Sequence, residues 1–313
     1  MSLKVLQGGV LSLLQDKGRI GQHQLGLTTG GPMDAEAFHY LNRLLGNDAN
    51  STAIEVSVGG LQLEAQTTTF LCVTGAPMPL RINGEEQPLW SVHSLNPGDA
   101  VELGYAQRGC RAYLGVADGF KLAPVFGSTA TVVREGIGGL NGNPLAAGDN
   151  LPCERINERT RQCLPLEHQP RYHNQLTVRV IPGYQRRAFS RIEKRRFFGA
   201  AYTVSERCDR MGYRLEGAPV SCDLKGVLSE GISLGAIQIP PDGNPLVLMN
   251  DRQTIGGYPK IGAALSLDLS RLAQLNQGDT VHFAPISRGT AIRALLLAQR
   301  FGLNKPLRAV PGG

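Results

Sequence analysis

Several things are scarce in this sequence, and each scarcity narrows its function. Aromatic residues make up 6% of the 313 positions, and no strand-like run interleaves them with basic residues. No zinc-finger spacing is present either, so nucleic acid is not the expected partner. No apolar run approaches the ~20 residues of a membrane-spanning helix, and no signal-peptide pattern opens the chain. The six cysteines (72, 110, 153, 163, 208 and 222) form no C-x-x-C pair and none stands with histidine at metal-ligand spacing, so no metal site is expected. Cys72 and Cys110 lie in apolar runs and read as small buried hydrophobes. No G-x-x-x-x-G-K-[ST] loop occurs, which excludes phosphate binding of the P-loop type. The scattered histidines offer no Ser/His/Asp grouping. The chain is expected to be reduced and cytoplasmic, with neither nucleic acid nor a membrane as partner.

What is present points to strands and turns. Glycine at 39 and proline at 19 exceed what a helical chain would carry. Apolar residues are 42% and charged residues 19%, ordinary for a globular chain long enough for two domains. The balance of 32 basic to 26 acidic residues suits a small anionic substrate or an acidic partner. Residues 4–15 alternate around a glycine pair and predict a first hairpin. Met33–Leu45, with Pro32 before it and Gly46-Asn47 after it, predicts a helix whose apolar face is Phe38, Leu41, Leu44 and Leu45. Short β-like runs recur from Ala53 to Val116, with Asn83-Gly84 as a strong hairpin signal. Residues 152–175 are polar and aperiodic and predict a linker. Gly183–Phe198 packs six basic residues, from Arg186 to Arg196, against one acid. It predicts a basic amphipathic helix with Phe189, Ile192 and Phe197 inward. Thr290–Phe301 predicts a last helix.

The two halves repeat each other. Asp16-x-Gly-Arg parallels Asp209-Arg-Met-Gly-Tyr-Arg, and the run from Glu55 parallels the run from Glu230. Pro97-Gly98-Asp99 parallels Gln277-Gly278-Asp279. The expected fold is therefore mainly β with a few helices: two related domains at 1–151 and 176–313, joined by 152–175. Closed barrels suit such units, since closure removes exposed edge strands.

The most chemically dense stretch is Cys208–Lys260, with D-R-M-G-Y-R-L-E-G at 209–217, S-E-G-I-S-L-G-A-I-Q-I-P-P-D-G-N-P at 229–245 and D-R-Q-T-I-G-G-Y-P-K at 251–260. On these motifs the chain resembles the biotin-dependent carboxyltransferase-like family that includes KipA, allophanate hydrolase subunit 2 and the C-subunit of 5-oxoprolinase. The first half agrees through Q-D-K-G-R (15–19), G-G-P-M-D (30–34), L-L-G-N-D-A-N (44–50) and G-I-G-G-L-N-G (136–142). The chain departs from the family pattern at Asp118-Gly119 and at Tyr184. The resemblance implies cyclophilin-like β-barrel domains. It also implies work beside two partners, a KipI-like B-subunit and a lactam-hydrolase-like A-subunit. The C-subunit of an ATP-dependent 5-oxoprolinase, which opens 5-oxo-L-proline to L-glutamate, is the leading expectation. A carboxyltransferase subunit of a urea carboxylase-like system is one alternative, and a KipA-type regulator without enzymatic activity is another. ATP would be shared with the partner subunits. No A-M-K-M sequence is present, so biotin is not attached to this chain.

A lactam carbonyl is deactivated by resonance, and its activation calls for cations and donors aimed at developing negative charge. Arg210, Arg214 and Lys260 supply cations, Tyr213 a donor and Glu230 an orienting or acid/base carboxylate, with Glu216 as a further candidate. These five, without Glu216, are the expected catalytic set. Gln238, Asp251, Arg252, Gln253, Thr254, Gly256, Gly257 and Tyr258 are the expected substrate or anion contacts, the glycines because they let backbone N–H groups come close. As a strand, 210–214 would put both arginines on one face, whereas a bulge at Gly212 would separate them.

Overall fold

The computed structural model describes residues 1–224 and 227–310, so the last three positions of the expected second domain lie outside the described residues. It divides into two compact units. One comprises Met1–Gly21, Gly30–Tyr172 and the stretch from Leu303; the other comprises Gln22–Thr29 and His173–Gly302. Both are built mainly of strands. No helix among the described residues is long and apolar enough to cross a membrane.

The first unit is laid out in two sheets. One has six strands, in the order Asn150–Pro152, Ser2–Gly8, Gly59–Ala65, Ala100–Tyr105, Leu80–Ile82 and Glu85–Gln87. The other has five, in the order Leu11–Gln15, Ala53–Ser57, Arg111–Val116, Thr69–Gly75 and Val92–Leu95. Residues 4–15 therefore form a corner between two sheets and not the expected hairpin. Gly9 makes the corner at φ +71°, where a Cβ would stand 2.6 Å from the Gly59 carbonyl oxygen. Leu71, Val73, Leu114 and Val116 face the apolar core. The alternate residues Phe70, Cys72 and Tyr113 face the helix Ala35–Leu44. Burial on both faces explains why these two strands carry almost no polar alternation, and it pushes the Cys72 thiol far up. The helix matches its expected position and apolar face, and Asp34 caps it by accepting from the Ala37 N–H at 3.0 Å.

The same unit holds a sealed polar network. Arg19 is fully buried and donates to the carbonyls of Val125 (2.9 Å), Ser128 (3.5 Å) and Ala130 (3.0 Å). Asp16 accepts from Ser128 Oγ at 2.5 Å and from the Thr129 N–H at 2.8 Å. Glu55 accepts from the Tyr113 hydroxyl at 2.6 Å and from the Met33 N–H at 2.8 Å.

In the second unit seven strands close into a barrel: Gln175–Pro182, Lys260–Ala264, Ala236–Gln238, Leu246–Leu248, Gly212–Gly217, Ala201–Cys208 and Thr280–Pro285. The first and last run parallel, Gln175 against Thr280 through Val180 against Pro285. Tyr213, Val247 and Ile237 are paired across adjacent strands and buried, as are Leu215, Val178, Val180, Val281 and Phe283. The expected basic helix is in fact a 3-10 turn, Tyr184–Ala188, and a helix, Arg191–Gly199, whose N-cap Ser190 interrupts the run. Phe197 stacks on Phe283 with centroids 4.4 Å apart, and Phe189 is buried. Ile192 is 68% exposed, because it lies five positions from Phe197, an offset that turns it to another face of the helix. The last helix spans Arg288–Leu297 and ends in a π-turn, Ala298–Gly302.

One piece of the repeat is geometrically real. In Asn96–Asp99 and in Asn276–Asp279, the aspartate Oδ2 accepts from the first residue's N–H, at 2.7 and 2.8 Å. The glycine in each turn donates to a strand carbonyl, Ala65 in one and Val204 in the other. Ala146–Asp149 is a third copy that sequence comparison did not reveal, with Gly148 donating to Val5. Asp16 and Asp209, by contrast, occupy different places: Asp16 follows the Leu11–Gln15 strand, while Asp209 sits in the turn between Ala201–Cys208 and Gly212–Gly217.

Candidate functional site

The barrel's strand parity places the candidate site. Tyr213, Val247 and Ile237 point inward, so their neighbours Gly212, Arg214, Leu246, Leu248 and Gln238 point outward. On that outer wall lies a cavity of about 510 Å3, floored by these five residues. Its rim is the strand end Glu206–Cys208 with Asp209 and Met211 of the following turn on one side and Gln253, Gly256, Gly257 and Tyr258 on the other. A two-residue ladder, Glu230–Gly231 against Ile255–Gly256, anchors the second side.

Of the expected residues, Arg214, Gln238, Gln253, Gly256, Gly257 and Tyr258 meet at this cavity. Tyr213 does not. It is buried in the barrel, where its hydroxyl donates to the Ala273 carbonyl at 3.1 Å, so as a catalytic residue it is misplaced by strand parity. Arg210 sits in the turn before the strand, since Asp209 accepts from the Met211 and Gly212 N–H groups and delays the strand start to Gly212. Neither sequence alternative for 210–214 applies. Arg210 forms a buried two-bond pair with Asp251, at 2.9 Å in both bonds. Arg252 is buried too and donates to the Ile232 carbonyl at 3.1 Å and the Met249 carbonyl at 3.3 Å; burial lowers its affinity for its proton. The Thr254 carbonyl accepts from the Ile232 N–H at 3.0 Å. Arg210, Asp251, Arg252 and Thr254 thus shape the 249–256 loop from behind. Glu216 is exposed and is not among the cavity residues.

Glu230 and Lys260 form a second cluster, at the strand position opposite Gln238. Glu230 takes an ion pair from Lys260, a hydrogen bond from the Tyr184 hydroxyl and another from Gln185 Nε2 at 2.9 Å. The Gln185 side-chain carbonyl oxygen in turn accepts from the Lys260 N–H at 2.7 Å. Lys260 and Tyr184, followed by Gln185, hold the Glu230 carboxyl below its ordinary range, and donating to that carboxylate raises the Tyr184 hydroxyl. Sequence reasoning misses Tyr184 and Gln185 as site residues. The only signal for them is their position in a motif where the chain departs from the family pattern.

Asp242 is missed as well, hidden in the turn P-P-D-G. It pairs with Arg214 and accepts from Asn244 Nδ2 at 3.1 Å. Burial pushes its carboxyl up, but the Asn244 groups and the Arg214 guanidinium outweigh that and leave it below its ordinary value. Asp242 lines a second cavity, also of about 510 Å3, which shares Gly257 and Tyr258 with the first.

The arrangement suits a small polar molecule better than a nucleotide. A triphosphate needs several cations or N–H groups free to converge on it. Here Lys260 and Arg210 are held on carboxylates and Arg252 on carbonyls, which leaves Arg214, whose partner Asp242 is exposed, as the one cation of the expected set able to exchange partners. A single such cation does not fit a triphosphate, so these residues do not fit ATP. Among the described residues, no group of three His, Cys, Asp or Glu side chains is placed to hold a metal ion.

Comparison with known proteins gives a consistent picture. A family model described as carboxyltransferase domain, subdomain A and B, matches residues 25–285. The 5-oxoprolinase C-subunit of Escherichia coli is 35% identical over 302 residues, covering 96% of each chain. The putative urea carboxylase of Emericella nidulans is 29% identical over 95% of this chain but only 25% of its own length. The crystal structure of the Kluyveromyces lactis urea amidolyase superposes with a TM-score of 0.89 at 26% identity, over 97% of this chain, which spans 20% of that longer one.

Proposed function

The chain belongs to the carboxyltransferase-domain family, and on that premise we propose that it is the C-subunit of an ATP-dependent 5-oxoprolinase. In this reading it helps activate 5-oxo-L-proline for ring opening to L-glutamate while ATP is hydrolysed to ADP and phosphate. The observation that carries the reading is the end-to-end match: 96% of this chain aligns with 96% of a protein that bears that name. The urea enzymes align through a quarter or a fifth of their length.

The chemistry of the barrel's outer wall supports an assisting role over a self-sufficient one. ATP is held chiefly by the two partners, a KipI-like B-subunit and a lactam-hydrolase-like A-subunit, in the cytoplasm. This chain contributes the cavity beside Arg214 and Gln238, which is large enough for a five-membered lactam and offers it polar and apolar walls. Phosphorylation of the lactam oxygen would make its carbon a better electrophile, and the chain's part is to hold and orient the ring while that happens.

The test is 5-oxo-L-proline-dependent ADP release by the reconstituted complex. Turnover should need all three proteins, and turnover unchanged on omitting this chain would end the proposal. The urea carboxylase-like alternative is favoured by the TM-score of 0.89. It predicts urea-dependent loss of the carboxyl group from carboxybiotin on a separate carrier protein. A KipA-type regulator would instead form a tight complex with a KipI-like partner and turn over neither substrate.

A further inference from the structure

Three residues stand in one row across the outer wall of the barrel. Register pairs Arg214 with Leu246 and Leu246 with Gln238, and Lys260 comes opposite Gln238 after a one-residue shift in register. Residues paired in regular register leave a sheet on the same face, so the row reads cation, apolar, amide, with the second cation, Lys260, beside its end. Adjacent strands are about 4.8 Å apart, which sets Arg214 and Gln238 about 10 Å apart with Leu246 between them.

The two cations are held in different ways. The acid on Lys260, Glu230, is itself fixed by Tyr184 and Gln185, and the Lys260 side chain is 10% exposed. The acid on Arg214, Asp242, comes from a loop and is 42% exposed, with its other bonds going to its near neighbour Asn244. A solvent-accessible pair of this kind contributes little and is easily exchanged. Between them, Gln238 is 4% exposed, and its Nε2 has no hydrogen-bond partner among the described residues. A buried amide without a partner is costly unless a ligand supplies one. Gly256 keeps the space around it open, since a Cβ there would stand 2.9 Å from that nitrogen.

We propose that this row binds a small amide carrying a carboxylate: Arg214 takes the carboxylate in exchange for Asp242, and Gln238 pairs with the amide. A lactam presents its C=O acceptor and N–H donor on one edge, and a glutamine carboxamide offers the complementary donor and acceptor. Leu246 lies under the ring carbons. The choice of a lactam as ligand rests on the 5-oxoprolinase reading, whereas the exchange of carboxylates at Arg214 does not.

The test is isothermal titration of the full chain with two probes, 5-oxo-L-proline and 2-pyrrolidinone, the same lactam without its carboxylate. Asp242→Asn removes the competing acid and should tighten 5-oxo-L-proline by up to ~5-fold, the most an exposed pair is worth, with 2-pyrrolidinone unchanged. Arg214→Met should weaken 5-oxo-L-proline by ~10-fold or more, the loss of one charge-assisted contact, again with 2-pyrrolidinone unchanged. Gln238→Leu should weaken both probes. Gly256→Ala, which crowds the same amide, gives a second route to that result if the leucine variant does not fold by circular dichroism. The proposal is overturned if Asp242→Asn fails to tighten 5-oxo-L-proline, if Arg214→Met affects both probes alike, or if neither wild type nor Asp242→Asn binds 5-oxo-L-proline saturably. The expected pattern in a chain dispensable for turnover would keep the row and discard the 5-oxoprolinase reading. Dispensability of the row in a chain required for turnover would do the reverse.

Discussion

Two stretches of similar wording, D-K-G-R at 16–19 and D-R-M-G-Y-R at 209–214, end up in opposite environments. In the first unit the charges are sealed. Arg19 is fully buried and directs its donors at three loop carbonyls, while Asp16 accepts from Ser128 and Thr129. These bonds fix the backbone of the 125–131 loop, and none of these residues lines the cavities at the second unit's barrel. In the second unit the charges meet in pairs. Arg210 is locked to Asp251 behind the 249–256 loop, whereas Arg214 faces a cavity and shares an exposed pair with Asp242. Buried charges with fixed partners serve the scaffold, and a cation whose partner can leave serves binding.

That contrast can be broken most sharply at Arg19. Arg19→Met takes a buried guanidinium from the Ala130 carbonyl and from the Val125 and Ser128 carbonyls, which keep only each other's N–H, and should cost about 3 kcal/mol of stability, seen as a lower urea midpoint. Arg214→Met should cost less than about 1 kcal/mol in the same measurement, because its pair is solvent-accessible. Equal losses would erase the distinction between the two regions.

Tyr113→Phe comes next. Its hydroxyl donates to Glu55 at 2.6 Å and accepts from the Asp34 N–H at 2.7 Å, so the variant strips two bonds from a sealed network. A loss of about 1–3 kcal/mol is expected, again by urea unfolding. Gly256→Ala tests the open region from the side of packing. Its Cβ would fall 2.4 Å from Ile232 Cδ1, and the crowding should cost about 1–3 kcal/mol. An unchanged midpoint would mean that the 249–256 loop yields more easily than its hydrogen bonds suggest.

The smallest effect is a pH dependence. Lys260, Tyr184 and Gln185 hold the Glu230 carboxyl below its ordinary value of 4.5 in the folded chain. A depressed folded value means stability that is present above about 4.5 and is lost as pH falls through the lower, folded value. Glu230→Gln should therefore lose a little stability at neutral pH and flatten part of the acid limb, as followed by thermal midpoints between about pH 3 and 7. An acid limb of unchanged slope would show that the cluster is ordered in solution no better than a surface ion pair.

Local signals in the sequence are reliable where the physics is local. Asn83-Gly84 makes the two-residue turn that it signals, with φ of 54° and 81°, because asparagine and glycine tolerate that backbone. The same holds for the Ala35–Leu44 helix and for the glycine–aspartate turns at 96–99 and 276–279. Residues 4–15 mislead because alternation alone does not say whether two strands pair with each other or pass into different sheets. The candidate site is legible as a stretch, 208–260, but not as a set of contacts. Tyr213 and Arg214 are neighbours in sequence, yet one lies inside the barrel and the other lines the cavity.

By itself, then, the sequence determined the class of fold, the family, most of the turns and the segment that bears the chemistry. Tertiary structure alone decided which members of that segment meet. Barrel closure sets which face of each strand is inside, and that choice depends on partners far along the chain. The ion pairs are decided the same way, Arg210 with a residue 41 positions away and Arg214 with one 28 positions away. Such pairings exist only once loops are brought together, so no local pattern of residues can announce them.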